Sequence, residues 1–186
     1  MSAYLRGTAD PNFRTDEGSG RWGSQRATAE MRAMRIAIMG HLPHAVPLIG
    51  PDAAAHMRHY MENSGSRYTI RLAELIADTR SARELFDLEL AEAKRFVETL
   101  PPGSHPITSA RGSGGYAMMS ESPNWSYAIG GYTVWGRGTA HVREAADGQL
   151  GYQLDFELRF YDRYDWHEGN AVRLFGIETC SKLVQK

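Results

Sequence analysis

A chain of 186 residues has the size of one ordinary domain, and at that length a fold buries roughly 70% of the surface its unfolded chain exposes. Its 42% hydrophobic and 23% charged residues are the proportions of a globular protein and exclude a collagen-like or wholly disordered one. With 21 Lys and Arg against 22 Asp and Glu, no net field draws the chain to nucleic acid or to an anionic membrane, and neither is expected as a partner.

Residues 1–23, rich in Gly, Asp, Arg, Thr and Ser without periodicity, are expected to be a flexible leader ahead of a single domain over 24–186. They lack the roughly 7 to 15 consecutive apolar residues of a secretory signal. The chain is therefore expected in the cytoplasm, or exported by a route without a Sec signal. Ser24 offers an N-cap, and Ala27, Met31, Met34 and Ile38 recur at helical spacing, which predicts a helix over 25–39 closed by Gly40.

Pro43 and Pro47 predict an irregular segment over 41–50, and Pro51-Asp52 opens a second helix reaching Asn63. The apolar stretch 36–49, broken by His41, Pro43, His44 and Pro47, is shorter than the about 20 residues that cross a bilayer, so no transmembrane helix is expected. After the breaker Asn63-Ser-Gly-Ser, residues 68–76 fit either a short strand or a helical turn. The clearest helix opens at Ser81 with a capping box to Glu84. It buries Phe86, Leu90, Ala93, Val97 and Leu100, with Glu84, Glu89, Glu92, Lys94 and Arg95 mostly turned outward, until Pro101-Pro102-Gly103 stops it.

From His105 the composition shifts to Tyr, Trp, Thr and Val between Gly and Ser, which predicts five or six antiparallel strands. The cleanest sets Tyr152, Leu154, Phe156, Leu158 and Phe160 against Gln153, Asp155, Glu157, Arg159 and Tyr161, with a turn at Asp147-Gly148 joining it to a partner strand over 131–143. Gly130, Gly131, Gly136 and Gly138 fit bends or close packing in a curved sheet, since no helix follows them to present its N-terminus to a phosphate. The fold class is α+β: N-terminal helices over 24–100, followed by a curved antiparallel β-sheet or partial barrel over 104–178.

Three groups of residues carry candidate chemistry. Asp162, Asp165, His167 and Glu168 lie together where the cleanest strand leaves the sheet, accompanied by Tyr164 and Trp166. Asp162 and Asp165 are of the type that holds a hard cation such as Mg²⁺ or divides acid and base roles, and His167 is a proton donor near neutral pH. The same residue types also make an ordinary turn capped by aromatics. His41, His44, His56 and His59 form the second group, the last two sharing a helix face, with a spacing that matches no zinc finger. The third is the aromatic set from Trp125 to Trp166, which strand alternation cannot hide on one face and which can line a groove. The single cysteine, Cys180, excludes an internal disulfide framework and fits a reducing compartment.

Asp162-Arg-Tyr164-Asp165 at a strand end, in a β-rich region behind helices, resembles the Asp-x-Tyr-Asp signature of the colicin M type bacteriocins. Those toxins cleave the pyrophosphate-linked cell-wall precursor lipid II with a divalent cation, through a curved-sheet activity domain. The resemblance implies that Asp162, Tyr164 and Asp165 line an active site for a lipid-linked or small phosphate substrate. The family places a His-Arg pair soon after the motif, whereas here His167 follows closely and precedes Glu168. Residues 56–178, with Ser-Ala-Arg-Glu, Asn-Trp-x-Tyr-Ala and Tyr-Asp-x-Tyr-x-Trp, also resemble an uncharacterised C-terminal domain of bacterial proteins, some toxin- or effector-like, which implies no chemistry.

Two expectations of function follow. One is a toxin- or effector-like, Mg²⁺-assisted hydrolase of a phosphate ester or lipid-linked pyrophosphate, with Asp162, Tyr164, Asp165 and His167 as catalytic residues and Asp162 and Asp165 on the metal. The other is a non-catalytic binding or oligomerisation module with an aromatic-lined curved sheet, in which a homo-oligomer covers an open sheet edge.

Overall fold

The computed structural model describes residues 3–13, 26–62, 64, 66–163 and, as backbone alone, 171–174 and 177–180. In chain order its elements are β1 (Tyr4–Arg6), α1 (Ala29–Ile49), α2 (Pro51–Glu62), α3 (Leu72–Asp78), α4 (Arg80–Val97), β2 (Gly103–Ser109), β3 (Ser113–Tyr116), α5 (Pro123–Ala128), β4 (Gly131–Glu144), β5 (Leu150–Tyr161), β6 (Ala171–Leu174) and β7 (Ile177–Cys180). The fold is α+β with an open five-stranded antiparallel sheet. It divides into two compact units. A sheet unit takes residues up to 14, 72–116 and 131–161, and a helical unit takes 15–71, 117–130 and the chain from 162.

In the sheet unit β4 is the spine. Along one side it pairs with β5 from Thr133↔Tyr161 to Glu144↔Leu150, and a turn whose Gly148 has φ 79° joins the two strands as the Asp147-Gly148 pattern predicts. Along its other side β2 and β3 follow one another as a single interrupted strand. Thr108 pairs with Arg137 and Ser113 with Val134, so five steps on this strand match three on β4. The two extra residues make a bulge between Ser109 and Gly112, opposite Gly136.

Of the residues expected to form a flexible leader, the described ones from Tyr4 to Phe13 pack on the sheet unit. Tyr4, Leu5 and Arg6 pair with β2 as a fifth strand, and Tyr4 is buried with Ala93, Val97, Leu100, Ile107, Ala140 and Val142. Further on, the Trp135 indole N–H donates to Asp10 at 2.9 Å and the Phe13 ring packs on Trp135 and Tyr161. The short strand lacks apolar alternation of its own, so only the pairing partner and Tyr4's neighbours hold it in place.

α4 crosses this sheet with Ala82, Glu89, Ala93 and Val97 buried, and Phe86 against Phe156. Ser81 is not its cap. Thr79 holds the N-cap position without a side-chain cap, its hydroxyl donating instead to the Leu75 carbonyl at 2.8 Å, and the Ser81 hydroxyl donates to Tyr116 at 3.3 Å. Glu89, expected to face outward, belongs to the buried stripe: it stands three residues after Phe86 and four before Ala93.

In the helical unit the expectation of an irregular 41–50 is overturned, because α1 runs through Gly40, Pro43 and Pro47 to Ile49 and is capped by Gly50. Each proline inside a helix costs about 3 kcal/mol. Both prolines are exposed, while the opposite side buries Ile38, Leu42, Ala45 and Ile49, and large apolar side chains contribute about 1.5–3 kcal/mol each. The buried stripe offsets the prolines. At the other end Thr28, rather than Ser24, accepts from the Met31 N–H at 3.2 Å.

Gly50 leads α1 into α2 with φ 92° and leaves α2 without a capping side chain from its own sequence. Asn124 supplies one from α5. Its Oδ1 accepts from the Asp52 and Ala53 amides at 2.9 and 3.2 Å, and its Nδ2 donates to the Asp52 carboxylate at 2.7 Å. A Cβ on residue 50 would fall 2.2 Å from that Oδ1, so glycine is required by conformation and space together. Asn124→Ala is expected to destabilise the helical unit by about 2 kcal/mol, as loss of a strong N-cap does, read from urea unfolding with α2 amides exchanging faster.

Candidate functional site

Asp162 lies half-buried directly after the last residue of β5, and Arg163 beside it is exposed. Tyr164, Asp165 and His167 lie outside the described residues. Among the described residues no three His, Cys, Asp or Glu side chains gather to hold a metal ion.

The histidine group does not converge. His41 and His44 are exposed on α1, whereas His56 is buried and its Nδ1–H donates to the Ala128 carbonyl at 2.6 Å. His59 places Nε2 2.9 Å from the Ser66 carbonyl. The rings of both pack on Tyr68, with centroids 4.4 and 5.0 Å away. Burial lowers the His56 pKa below the ordinary imidazole value, outweighing the bond to Ala128 and the nearby Asp52 carboxylate. These are the contacts of an interior histidine, neutral near pH 7.

Next to it, Asp52 accepts from Arg71 at 2.8 Å as well as from Asn124. Burial alone would raise this carboxyl, but the Asn124 amide and the Arg71 guanidinium outweigh it and hold it below its ordinary value. The cluster ties α2, α5 and the segment before α3 together within the helical unit.

The same unit carries a groove of about 390 Å³ between α1 and α2, floored by Leu42, Val46, Ala54 and Ala55 and edged by Arg58 and Tyr68. Tyr68 is 43% exposed.

In the sheet unit the densest polar site centres on Glu89, whose charge predicts an outward position and whose helical period predicts an inward one. The Glu89 carboxylate, 6% exposed, reaches from α4 into the bulge of the interrupted strand. Tyr4 donates to its Oε2 at 2.8 Å, Ser109 at 2.8 Å and the Gly136 amide at 3.2 Å, while Ser113 donates to Oε1 at 2.6 Å. The Gly136 N–H is shared with the Ser109 hydroxyl at 2.8 Å. Displaced from regular pairing by the bulge, this amide finds its acceptors in two side chains, Ser109 at the edge of the bulge and Glu89 from the helix. Burial, reinforced by the negative charge of Glu89, pushes the Tyr4 hydroxyl well above its ordinary value, so it stays protonated and donating.

All four donors to Glu89 come from the fold itself, one from β1, two from the edges of the bulge and one from β4. That is the arrangement of a pin fastening helix to sheet. The period that places Phe86 and Ala93 inward also places Glu89 inward, which is the signal in the sequence that its charge obscures.

The aromatic set divides. Trp125, Tyr132 and Trp135 are buried, and Tyr132 stacks on Phe160 at 5.4 Å, whereas Tyr152 is 39% exposed. No family model, no curated protein and no solved structure matches this chain.

Proposed function

We propose that the chain is a non-catalytic binding and oligomerisation module that works by strand addition, an extended segment of a partner pairing with the outer edge of β5. The observation that supports this reading is β5 itself. It is 12 residues long, has β4 as its one strand partner among the described residues, and alternates polar and apolar side chains along its length. A long outer strand offers a row of main-chain N–H and C=O groups to another extended chain, and its alternating side chains set the register.

The test is amide hydrogen exchange in the presence of a panel of synthetic extended peptides with alternating polar and apolar residues. A peptide that slows exchange within β5 and leaves α4 unchanged is the expected result. A panel in which none slows β5 overturns the reading.

A second reading is favoured by the place where β5 ends, handing the chain directly to the half-buried Asp162. In it the protein is a toxin- or effector-like hydrolase of a phosphate ester or lipid-linked pyrophosphate. Asp162 and Asp165 hold Mg²⁺ and orient water, Tyr164 positions the substrate and His167 protonates the leaving oxygen. Asp165→Ala is then expected to keep the melting temperature and abolish Mg²⁺-dependent hydrolysis of a lipid-linked pyrophosphate. Full activity in that variant would sink this reading.

A further inference from the structure

Resting on the strand-addition reading, we infer that the strand which pairs with β5 is β5 of a second copy of this chain, antiparallel and centred on Leu158. The argument is charge complementarity. The polar row of β5 carries Asp155, Glu157 and Arg159, with Glu157 and Arg159 about half exposed and the two side chains in contact at 3.6 Å. Glu157 also meets Arg137, its partner on β4, at 3.3 Å, so a second strand extends this alternating charge row when it brings a cation opposite Glu157 and an anion opposite Arg159, two positions apart and in reversed order. β5 running antiparallel to itself does this when Leu158 faces Leu158: Glu157 meets Arg159 of the second copy, and the two-fold axis repeats the pair.

The apolar row follows from the same register. Phe156 faces Phe160 of the second copy, so the half-buried apolar face of one sheet continues into the other. Slipping the register by one residue, which moves the centre by half a residue, sets charged side chains against apolar ones, and centring on Glu157 or Arg159 sets that residue against its own copy. Centring on Phe156 opposes Asp155 to Glu157 twice, and centring on Leu154 leaves Arg159 against Gln149 with no charge pair. Leu158 is thus the centre among these three that pairs every Glu157 with an Arg159. The substitution sites are accessible surface within one protomer, and neither side chain belongs to the buried core.

The experiment is sedimentation equilibrium of the intact chain, of Arg159→Glu, of Glu157→Arg, and of the two variants mixed in equal amounts. Circular dichroism checks that each variant is folded. The unaltered chain is expected to be a dimer, and each single reversal is expected to weaken it about tenfold, since it turns two attractive cross-strand pairs into repulsive ones. The mixture is expected to recover a heterodimer, because one chain then carries anions at both positions and the other cations.

A chain that sediments as a monomer at high micromolar concentration overturns the inference, and so does a dimer indifferent to both reversals. In either case slowed exchange within β5 on peptide binding leaves the strand-addition reading standing. A dimer whose β5 amides exchange as freely as those of the monomer forms through another surface and overturns the inference as well.

Discussion

Glu89→Ala is expected to destabilise the sheet unit by about 3 to 5 kcal/mol, the cost of breaking a buried, fully bonded charged group. A buried donor left without its acceptor costs about 1–3 kcal/mol, and the substitution takes an acceptor from the Tyr4, Ser109 and Ser113 hydroxyls and from the Gly136 amide. The four costs do not add, because Ser109 keeps its bond with Gly136 and hydroxyls rotate toward one another. Glu89→Gln retains one acceptor oxygen and is expected to lose roughly half as much. Urea unfolding followed by tryptophan fluorescence measures both.

The same pin gives the unit a dependence on alkali. The folded-state pKa of Tyr4 is raised, by burial first and by Glu89 after it, so the folded state holds its proton more tightly than the unfolded chain does. That contribution is whole below about pH 10, the ordinary tyrosine value, and is lost as pH rises above it toward the folded-state value. Tyr4→Phe is expected to flatten the fall in melting temperature above that pH. An unchanged slope would show that Tyr4 is not the group responsible.

How far the sequence reaches into this fold depends on whether one local pattern decides an element. β5 and its turn to β4 are legible because strict alternation and Asp147-Gly148 both act within a few residues. α1 is longer than its sequence predicts because a proline signal is local, whereas the burial of Ile38, Leu42, Ala45 and Ile49 that overrides it requires the packed helical unit. β1 is not legible for a related reason: three residues carry no period, and what makes them a strand is an edge of β2 a hundred positions away. Glu89 faces inward against the rule that charged residues face water, a rule that fails where the fold supplies donors for the buried carboxylate. Those donors sit in four separate strands, and no spacing within α4 announces them.

The second large effect is expected at the contact between β4 and β5. A Cβ added at Gly138 would lie 2.1 Å from the main-chain oxygen of Asp155 and 3.2 Å from the Cα of Phe156, the residue with which Gly138 pairs. Neither neighbour is the end of a flexible side chain. Gly138→Ala therefore has to push β5 away along the ladder or break it there, an overpacking of about 3 kcal/mol. Gly151→Ala is the control, in the same pair of strands but with nothing within 4 Å of the added atom, and is expected to be within about 0.5 kcal/mol of neutral. Hydrogen exchange should then show β5 opening in the first variant and not in the second. If β5 is the surface on which a second strand adds, Gly138→Ala also weakens self-association without altering a single charge, because the edge that receives the partner is held in register by the glycine behind it.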